Sequence, residues 1–429
     1  MQPLTLTPLG RPLDWTWPIP GSKSLTNRAL PLAALASGES RLRRVLHSID
    51  TQAMRHCLQA WGVDIREAGE DLLVNGGRDR LRPSQRALEV ENSGTTVRFL
   101  SAMAALVPGD TTLCGDADMA KRPIADLVNA LGQLGIQVDC ASGCPPLTVR
   151  GQARLRGHTR IPGNRSSQYL SALLIAGAAD PEGISVSIEG SLVSAPYARM
   201  TLDMIQAFGG QVDEDPGQRY ASRGPLRGAN IAIEPDASAA SYAFAAAVAT
   251  GGRVRVEGLG RGSAQGDLAF VDILEAMGAR VERAEDATTV IAGPKLRGVD
   301  VDMHHISDTV MTLAAIAPLA KGPTTIRNVA NIRIKETDRL SATVSELRRL
   351  GQQVEHGEDW LRITPAPLRA ASIECYRDHR MAMSFAVLGM AKPGLTISDP
   401  ACVAKTYPAF WQHLAQCYRH HNQDASWAD

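Results

Sequence analysis

Residues 346–354 read ELRRLGQQV, and the same figure occurs four times earlier: CLQAWGVDI (57–65), ALGQLGIQV (130–138), MIQAFGGQV (204–212) and ILEAMGARV (273–281). Each is the end of an amphipathic stretch, a glycine, two residues and a β-branched residue. The shared glycines Gly62, Gly135, Gly209, Gly278 and Gly351 are 73, 74, 69 and 73 residues apart. A glycine closing a helix supplies the left-handed turn that lets the chain reverse into a strand. A polar turn and a second strand follow, as in VERAEDATTVIAG (281–293) and VEHGEDWLRITP (354–365). Five copies at near-constant spacing predict a repeated α/β unit of about 70 residues.

A sixth helix, YPAFWQHLAQCYRHH (407–421), has no strand after it. The opening PLTLTPLGRPLDWTWPIP (3–20) reads as strands with no helix before them. The two ends are expected to complete one another as a sixth unit. Six units divide three and three: residues 1–20 with 236–429 form one lobe and residues 21–235 the other. The chain then crosses between lobes near Pro20 and near Pro235. Two crossings make a hinge, and the active site is expected in the cleft between lobes.

Composition excludes several classes of function. In 429 residues, Lys+Arg and Asp+Glu are both 45, so no global positive field favours nucleic acid or an anionic membrane. Aromatic residues make up 4%, too few for a base-stacking surface. Seven scattered cysteines, an odd number without a framework, indicate reduced thiols and a cytoplasmic protein. Cys140 and Cys144 lack a second pair for a zinc set, and adjacent His304 and His305 rarely share one ion, so no metal is expected. YAFAAAVATGG, from residue 242, is too short to span a bilayer and reads as a buried helix.

The polar residues gather at predicted helix starts. PGSKSLTNRAL (20–30) sets Lys23 between Ser22 and Ser24, with Arg28 one turn further. A helix N-terminus favours phosphate, although a solvated helix start reads the same way. It is not a P-loop, because Ser22 rather than glycine precedes Lys23. ENSGTTVRFL (91–100) opens a helix on a tight turn at Gly94, with Arg98 behind it. GDADMAKRPIADLV (115–128) presents Arg122. PGNRSSQYLSALL (162–174) offers Ser166, Ser167 and Gln168, and SLVSAPYARM (191–200) offers Ser194 and Tyr197, as sugar or phosphate ligands or simple caps.

The densest cluster is NIRIKETDRL (331–340), with Lys335, Glu336, Asp338 and Arg339 at the mouth of a helix. ECYRDHRMAM (374–383) adds Asp378, His379 and Arg380, AKTYP (404–408) adds Lys405, and HHISDTVMTL (304–313) adds Asp308. Cations and hydroxyls converging in this way suit ligands with several negative charges. Asp308 and Glu336 are candidates for proton transfer, kept ionised by neighbouring cations unless burial opposes it.

PGSKSLTNRAL, NSGTTVRFL, KRPI, RSSQYL, KETDRL, DHRMAM and AKTYP together resemble the motifs of the 5-enolpyruvylshikimate-3-phosphate synthase family, in family order from about residue 18 to 412. The resemblance implies a two-domain inverted α/β barrel of six βαβαββ units, three per domain. It implies attack of the 5-hydroxyl of shikimate 3-phosphate on C2 of phosphoenolpyruvate with protonation of C3, then loss of phosphate from a tetrahedral intermediate. No metal or organic cofactor is implied, and a monomer acting only on these small molecules is expected.

The residue roles implied are as follows. Asp308 is the base, Glu336 the acid, and Lys23 shares proton work. Shikimate 3-phosphate is held by Lys23, Ser24, Arg28, Ser166, Ser167, Gln168, Ser194, Tyr197, Asp308, Asn331 and Lys335. Phosphoenolpyruvate and the departing phosphate are held by Lys23, Gly94, Arg122, Gln168, Arg339, Arg380 and Lys405, with the arginines suited to bidentate contact.

Three positions depart from the commonest family pattern. Pro31 interrupts the apolar run after NRAL and is expected to bend the helix, Phe99 backs the Gly94 turn, and Ala195 replaces a common lysine. Gly94 is retained, which implies sensitivity to glyphosate. The related transferase acting on UDP-N-acetylglucosamine carries a cysteine in the loop before RP; here Gly115 to Lys121 has none. A non-catalytic binding protein for phosphorylated metabolites would have no need of Asp308 and Glu336.

Overall fold

The computed structural model describes residues 2–428. The chain divides into two compact units, one built from the residues up to Pro20 together with those from Pro235 onward, the other from Gly21–Glu234. Each contains three small sheets and three nearly all-buried helices.

The βαβαββ repeat is seen directly. Strand Leu88–Glu89, helix Gly94–Met103, strand Gly109–Cys114, helix Ala125–Gln133 and the hairpin Val138–Asp139/Leu147–Gly151 follow in order. The first two strands pair in parallel, and the hairpin joins antiparallel. Gly157–Pro162 and Asp300–Asp302 each begin a repeat of the same topology. The five repeat glycines all adopt positive φ, from 79° at Gly135 to 107° at Gly278, which is the reversal their position after a helix requires.

The other three sheets borrow strands across the sequence. Asp14–Thr16 pairs with Arg253–Glu257, and Asn230–Ala232 pairs with Gly38–Arg43. Each strand leading into a crossing thus joins the sheet whose helices lie on the far side of the other crossing. The sixth unit has Ala371–Ile373 parallel to Leu395–Ile397, and its third strand is Leu4–Thr5 from the opposite end of the sequence.

The first helix of each repeat is largely apolar and buried on nearly all sides, as expected for a helix surrounded by protein, with most of its polar side chains toward its start. In one unit these are Lys23–Leu35, Gly94–Met103 and Ser167–Gly177; in the other, Ala237–Thr250, Val310–Ile316 and His379–Gly389. The second helices, such as Arg339–Arg349, are amphipathic and cover the sheets. The helix Lys23–Leu35 continues through Pro31. Every motif singled out by sequence lies at or just before the start of one of these helices or in the short turns beside them, so the repeat itself puts each at an equivalent place in its own unit. Among the described residues no helix is long and apolar enough to cross a membrane.

Candidate functional site

In the unit formed by Gly21–Glu234, Ser22 caps the first buried helix by accepting from the Leu25 N–H, and Lys23 Nζ lies 3.5 Å from Asp50 Oδ2. Asp50 is buried in the first turn of helix Ile49–Ala60, a position no sequence motif flagged.

Arg28 is 1% exposed, and burial pulls its pKa down to about 10. Its guanidinium donates to Thr201 Oγ1 (2.8 Å), Ser171 Oγ (3.2 Å), and the Ser24 and Tyr197 carbonyls (2.8 and 3.1 Å). The Phe99 ring centroid is 5.5 Å from this group. Arg28 therefore ties three helices together, beyond the ligand role its motif implies.

Gly94 begins its helix beside Arg122 and Arg98. A Cβ placed on it would fall 2.5 Å from Arg122 Nη1 and 3.1 Å from Arg98 Nη1, so any larger residue would push these guanidinium ends out of their present positions. Arg98 Nη1 donates to Gln168 Oε1 (2.6 Å), and Gln168 Nε2 donates to Thr95 Oγ1 (3.2 Å). Gly94, Arg122 and Gln168 thus form one group, joined by Arg98 and Thr95. Ser166 caps helix Ser167–Gly177 through the Gln168 N–H. Ser194 holds left-handed backbone (φ 51°) at the start of helix Ala195–Ala207, two residues before Pro196 and Tyr197 complete the first turn. A non-glycine residue in that region is strained, and such strain clusters at binding sites.

In the unit that begins again at Pro235, Arg339 is the hub. It is 1% exposed. Its Nε donates to Asp378 Oδ2 (2.7 Å), Nη1 to Asp308 Oδ1 (3.2 Å), and Nη2 to Glu336 Oε2 (2.7 Å) and Asp378 Oδ1 (3.3 Å). Burial opposes its charge, but Asp378, Glu336 and Asp308 outweigh that and raise its pKa. Asp308 also accepts from Arg380 Nη2 (2.7 Å) and lies 3.7 Å from Lys335 Nζ. Arg380 Nη1 donates to the Tyr242 hydroxyl (3.3 Å). Lys405 Nζ is 4.0 Å from Glu336 Oε1. Asn331 donates to Ser307 Oγ (2.9 Å), next to Asp308. Asp308, Asn331, Lys335, Glu336, Arg339, Arg380 and Lys405 are thus brought together, drawn from four separate stretches of sequence.

Asp378 is fully buried and meets Arg339 with both of its oxygens, while its Oδ1 also accepts the Arg380 N–H (2.9 Å). Asp267 is a second buried acid that sequence gave no reason to select. Its carboxylate accepts from Ser238 Oγ, and burial, with Asp308 second, raises its pKa to about 6.

A pKa raised from 3.8 to about 6 means the folded protein binds this proton more tightly than the unfolded chain does. Stability from this group is therefore full at low pH and lost as pH rises through about 6. Asp267→Asn is expected to be more stable than the parent at pH 7.5, by roughly 1–3 kcal/mol at 1.36 kcal/mol per pKa unit, with the gap closing as pH falls from about 6 to below 3.8. Denaturant melts of both proteins at several pH values check this; a gap independent of pH would refute it.

The six α/β repeats, three in each unit, have the fold of the enolpyruvyl transferases. An enolpyruvyl transferase from Streptomyces tendae superposes with a TM-score of 0.76 over 97% of both chains, at 19% identity. At the level of family, residues 10–414 match EPSP synthase (3-phosphoshikimate 1-carboxyvinyltransferase), and the chain belongs to that family. The proteins named 3-phosphoshikimate 1-carboxyvinyltransferase in Trichormus variabilis and Klebsiella pneumoniae are each 44% identical to it, covering 96% and 97% of this chain and 98% and 99% of theirs. An EPSP synthase structure from Acinetobacter baumannii matches with a TM-score of 0.81 and 27% identity, over 97% of this chain and 98% of the other.

Proposed function

We propose that this chain transfers the enolpyruvyl group of phosphoenolpyruvate to the 5-hydroxyl of shikimate 3-phosphate, releasing phosphate, on the route to chorismate and the aromatic amino acids. The observation that carries the chemistry is Asp308, an acid held by Arg339, Arg380 and Lys335, with Glu336 on the other side of the same guanidinium.

Both substrates are anions, and the cations supply the countercharge. Phosphoenolpyruvate and the departing phosphate are taken by Lys23, the Gly94 backbone, Arg122, Gln168, Arg339, Arg380 and Lys405. Ser24, Arg28, Ser166, Ser167, Ser194 and Tyr197 hold shikimate 3-phosphate, with Asn331 and Lys335 completing its contacts. Asp308 removes the proton of the 5-hydroxyl, and Glu336 protonates the methylene carbon, with Lys23 sharing that work; one proton is then lost from the resulting methyl carbon as the C2–O bond to phosphate breaks, which restores the double bond in the product. Substrate replaces some of the ion pairs now linking Asp308 to its cations, which frees the carboxylate to act. Fixing two anionic reactants in register can supply roughly 7–11 kcal/mol of the barrier. The protein is proposed to work as a monomer in the cytoplasm and to be inhibited by glyphosate, because Gly94 leaves the phosphate side of the group open.

The test is phosphate release from phosphoenolpyruvate with shikimate 3-phosphate or UDP-N-acetylglucosamine as acceptor. Release with shikimate 3-phosphate alone is expected. Release with the nucleotide sugar would reassign the acceptor, and tight binding without turnover would make the chain a binding protein.

A further inference from the structure

One buried carboxylate lies outside the chemistry above. Glu346, on the covered face of helix Arg339–Arg349, has a side chain with no exposure. Its Oε2 accepts the Glu374 N–H (3.0 Å) and lies 3.2 Å from Arg349 Nε; its Oε1 accepts the Tyr376 hydroxyl (2.8 Å). The segment it grips is unusual. Tyr376 and Arg377 are consecutive non-glycine residues in left-handed backbone, at φ 53° and 54°. Such a conformation costs energy and persists only where the surroundings over-determine it.

The strained pair stands immediately before Asp378. There the chain returns to extended backbone (φ −109°), the Asp378 N–H bonds the Cys375 carbonyl (2.8 Å), and helix His379–Gly389 begins. The strain therefore determines where Asp378 and Arg380 stand. The helix that carries Glu346 starts at Arg339, the residue Asp378 holds. Two ties, Glu346 to the turn and Arg339 to Asp378, bind the same two elements together about two helical turns apart.

We propose that Glu346 is a positioning residue for the transfer reaction: it holds the left-handed Tyr376–Arg377 turn and so fixes the Asp378–Arg339 pair and Arg380 for phosphoenolpyruvate. The inference rests on the reading that Arg339 and Arg380 take that substrate. Glu346 touches no substrate and acts through the turn.

The experiment compares Glu346→Ala, Tyr376→Phe, Arg377→Gly and the double variant Glu346→Ala/Arg377→Gly. Glu346→Ala is expected to raise KM for phosphoenolpyruvate about tenfold while KM for shikimate 3-phosphate stays within about twofold. Tyr376→Phe, which loses one hydroxyl and keeps the carboxylate, should move the same constant about threefold and serves if the alanine variant does not fold. Glycine adopts positive φ without penalty, so Arg377→Gly, at an exposed position, should restore most of the loss caused by Glu346→Ala. A glutamate that served only general stability would not be rescued there. Hydrogen exchange gives a readout independent of the reaction: the Asp378 and Arg380 amides should exchange faster in Glu346→Ala, or in Tyr376→Phe should the former not fold. Equal shifts in both KM values, no rescue by glycine, or unchanged exchange at 378 and 380 would each overturn the proposal. If the parent protein turned over neither substrate, the functional reading would fall, and the exchange data would still decide whether Glu346 holds the turn.

Discussion

Replacing Arg339 by methionine is expected to abolish transfer and to destabilise the protein by about 3–5 kcal/mol, the usual effect of removing one partner from a buried charge cluster. The guanidinium is 1% exposed and faces Asp378, Glu336 and Asp308. Without it, three carboxylates share a region where charge is poorly solvated. Arg380 and Lys335 offset only part of this, because both form ion pairs with Asp308, while Asp378 is the most buried of the three. Lysine at 339 should recover some stability but little activity. One ammonium cannot engage both oxygens of Asp378 and also reach Asp308 and Glu336. Steady-state kinetics and denaturant unfolding of Arg339→Met and Arg339→Lys check this, and a methionine variant within 1 kcal/mol of the parent would contradict it.

Asp308→Asn should lower kcat by roughly 10²–10⁴-fold, the range attributed to a positioned general base. The amide keeps the size of the carboxylate and one acceptor oxygen, so the variant should fold, with stability lowered by the loss of one of the two arginine contacts. It cannot accept the hydroxyl proton, and it removes the negative charge that Arg339, Arg380 and Lys335 share. A more positive site should bind phosphoenolpyruvate at least as well, so the loss should fall on kcat and spare KM. Retention of kcat within threefold would move the base role to another group.

Much of the architecture could be read from five glycines. Each closes a helix, each has positive φ, and their spacing alone gives the size of the repeat. The pairing of the N-terminal segment with the last unit also followed from unmatched ends. The borrowing of Asp14–Thr16 and Asn230–Ala232 by distant sheets was less legible, because strand partners are chosen by packing and leave no local pattern. The cations of the site were legible because helix starts are visible in sequence and charge there is unusual. Their anchors were not. Asp50, Asp267 and Glu346 look like ordinary surface acids of amphipathic segments, and partners distant in sequence (Lys23, Ser238 and Tyr376 respectively) help make their burial tolerable. Arg28 shows the converse: its motif implies a ligand role, and nothing near it in sequence announces that Thr201 and Ser171 occupy its donors.

The exchange of strands at the two crossings also orders events on the ribosome. The unit Gly21–Glu234 is contiguous and has all its strands once residue 234 is made. Leu4–Thr5 and Asp14–Thr16, made earlier, must wait for Leu395–Ile397 and Arg253–Glu257 respectively. At elongation rates of about 5–20 residues per second, the first strand remains without its partner for tens of seconds while a complete unit forms downstream of it. The nascent chain thus carries an unpaired β-segment ahead of a finished body, a natural target for a chaperone that binds extended peptide.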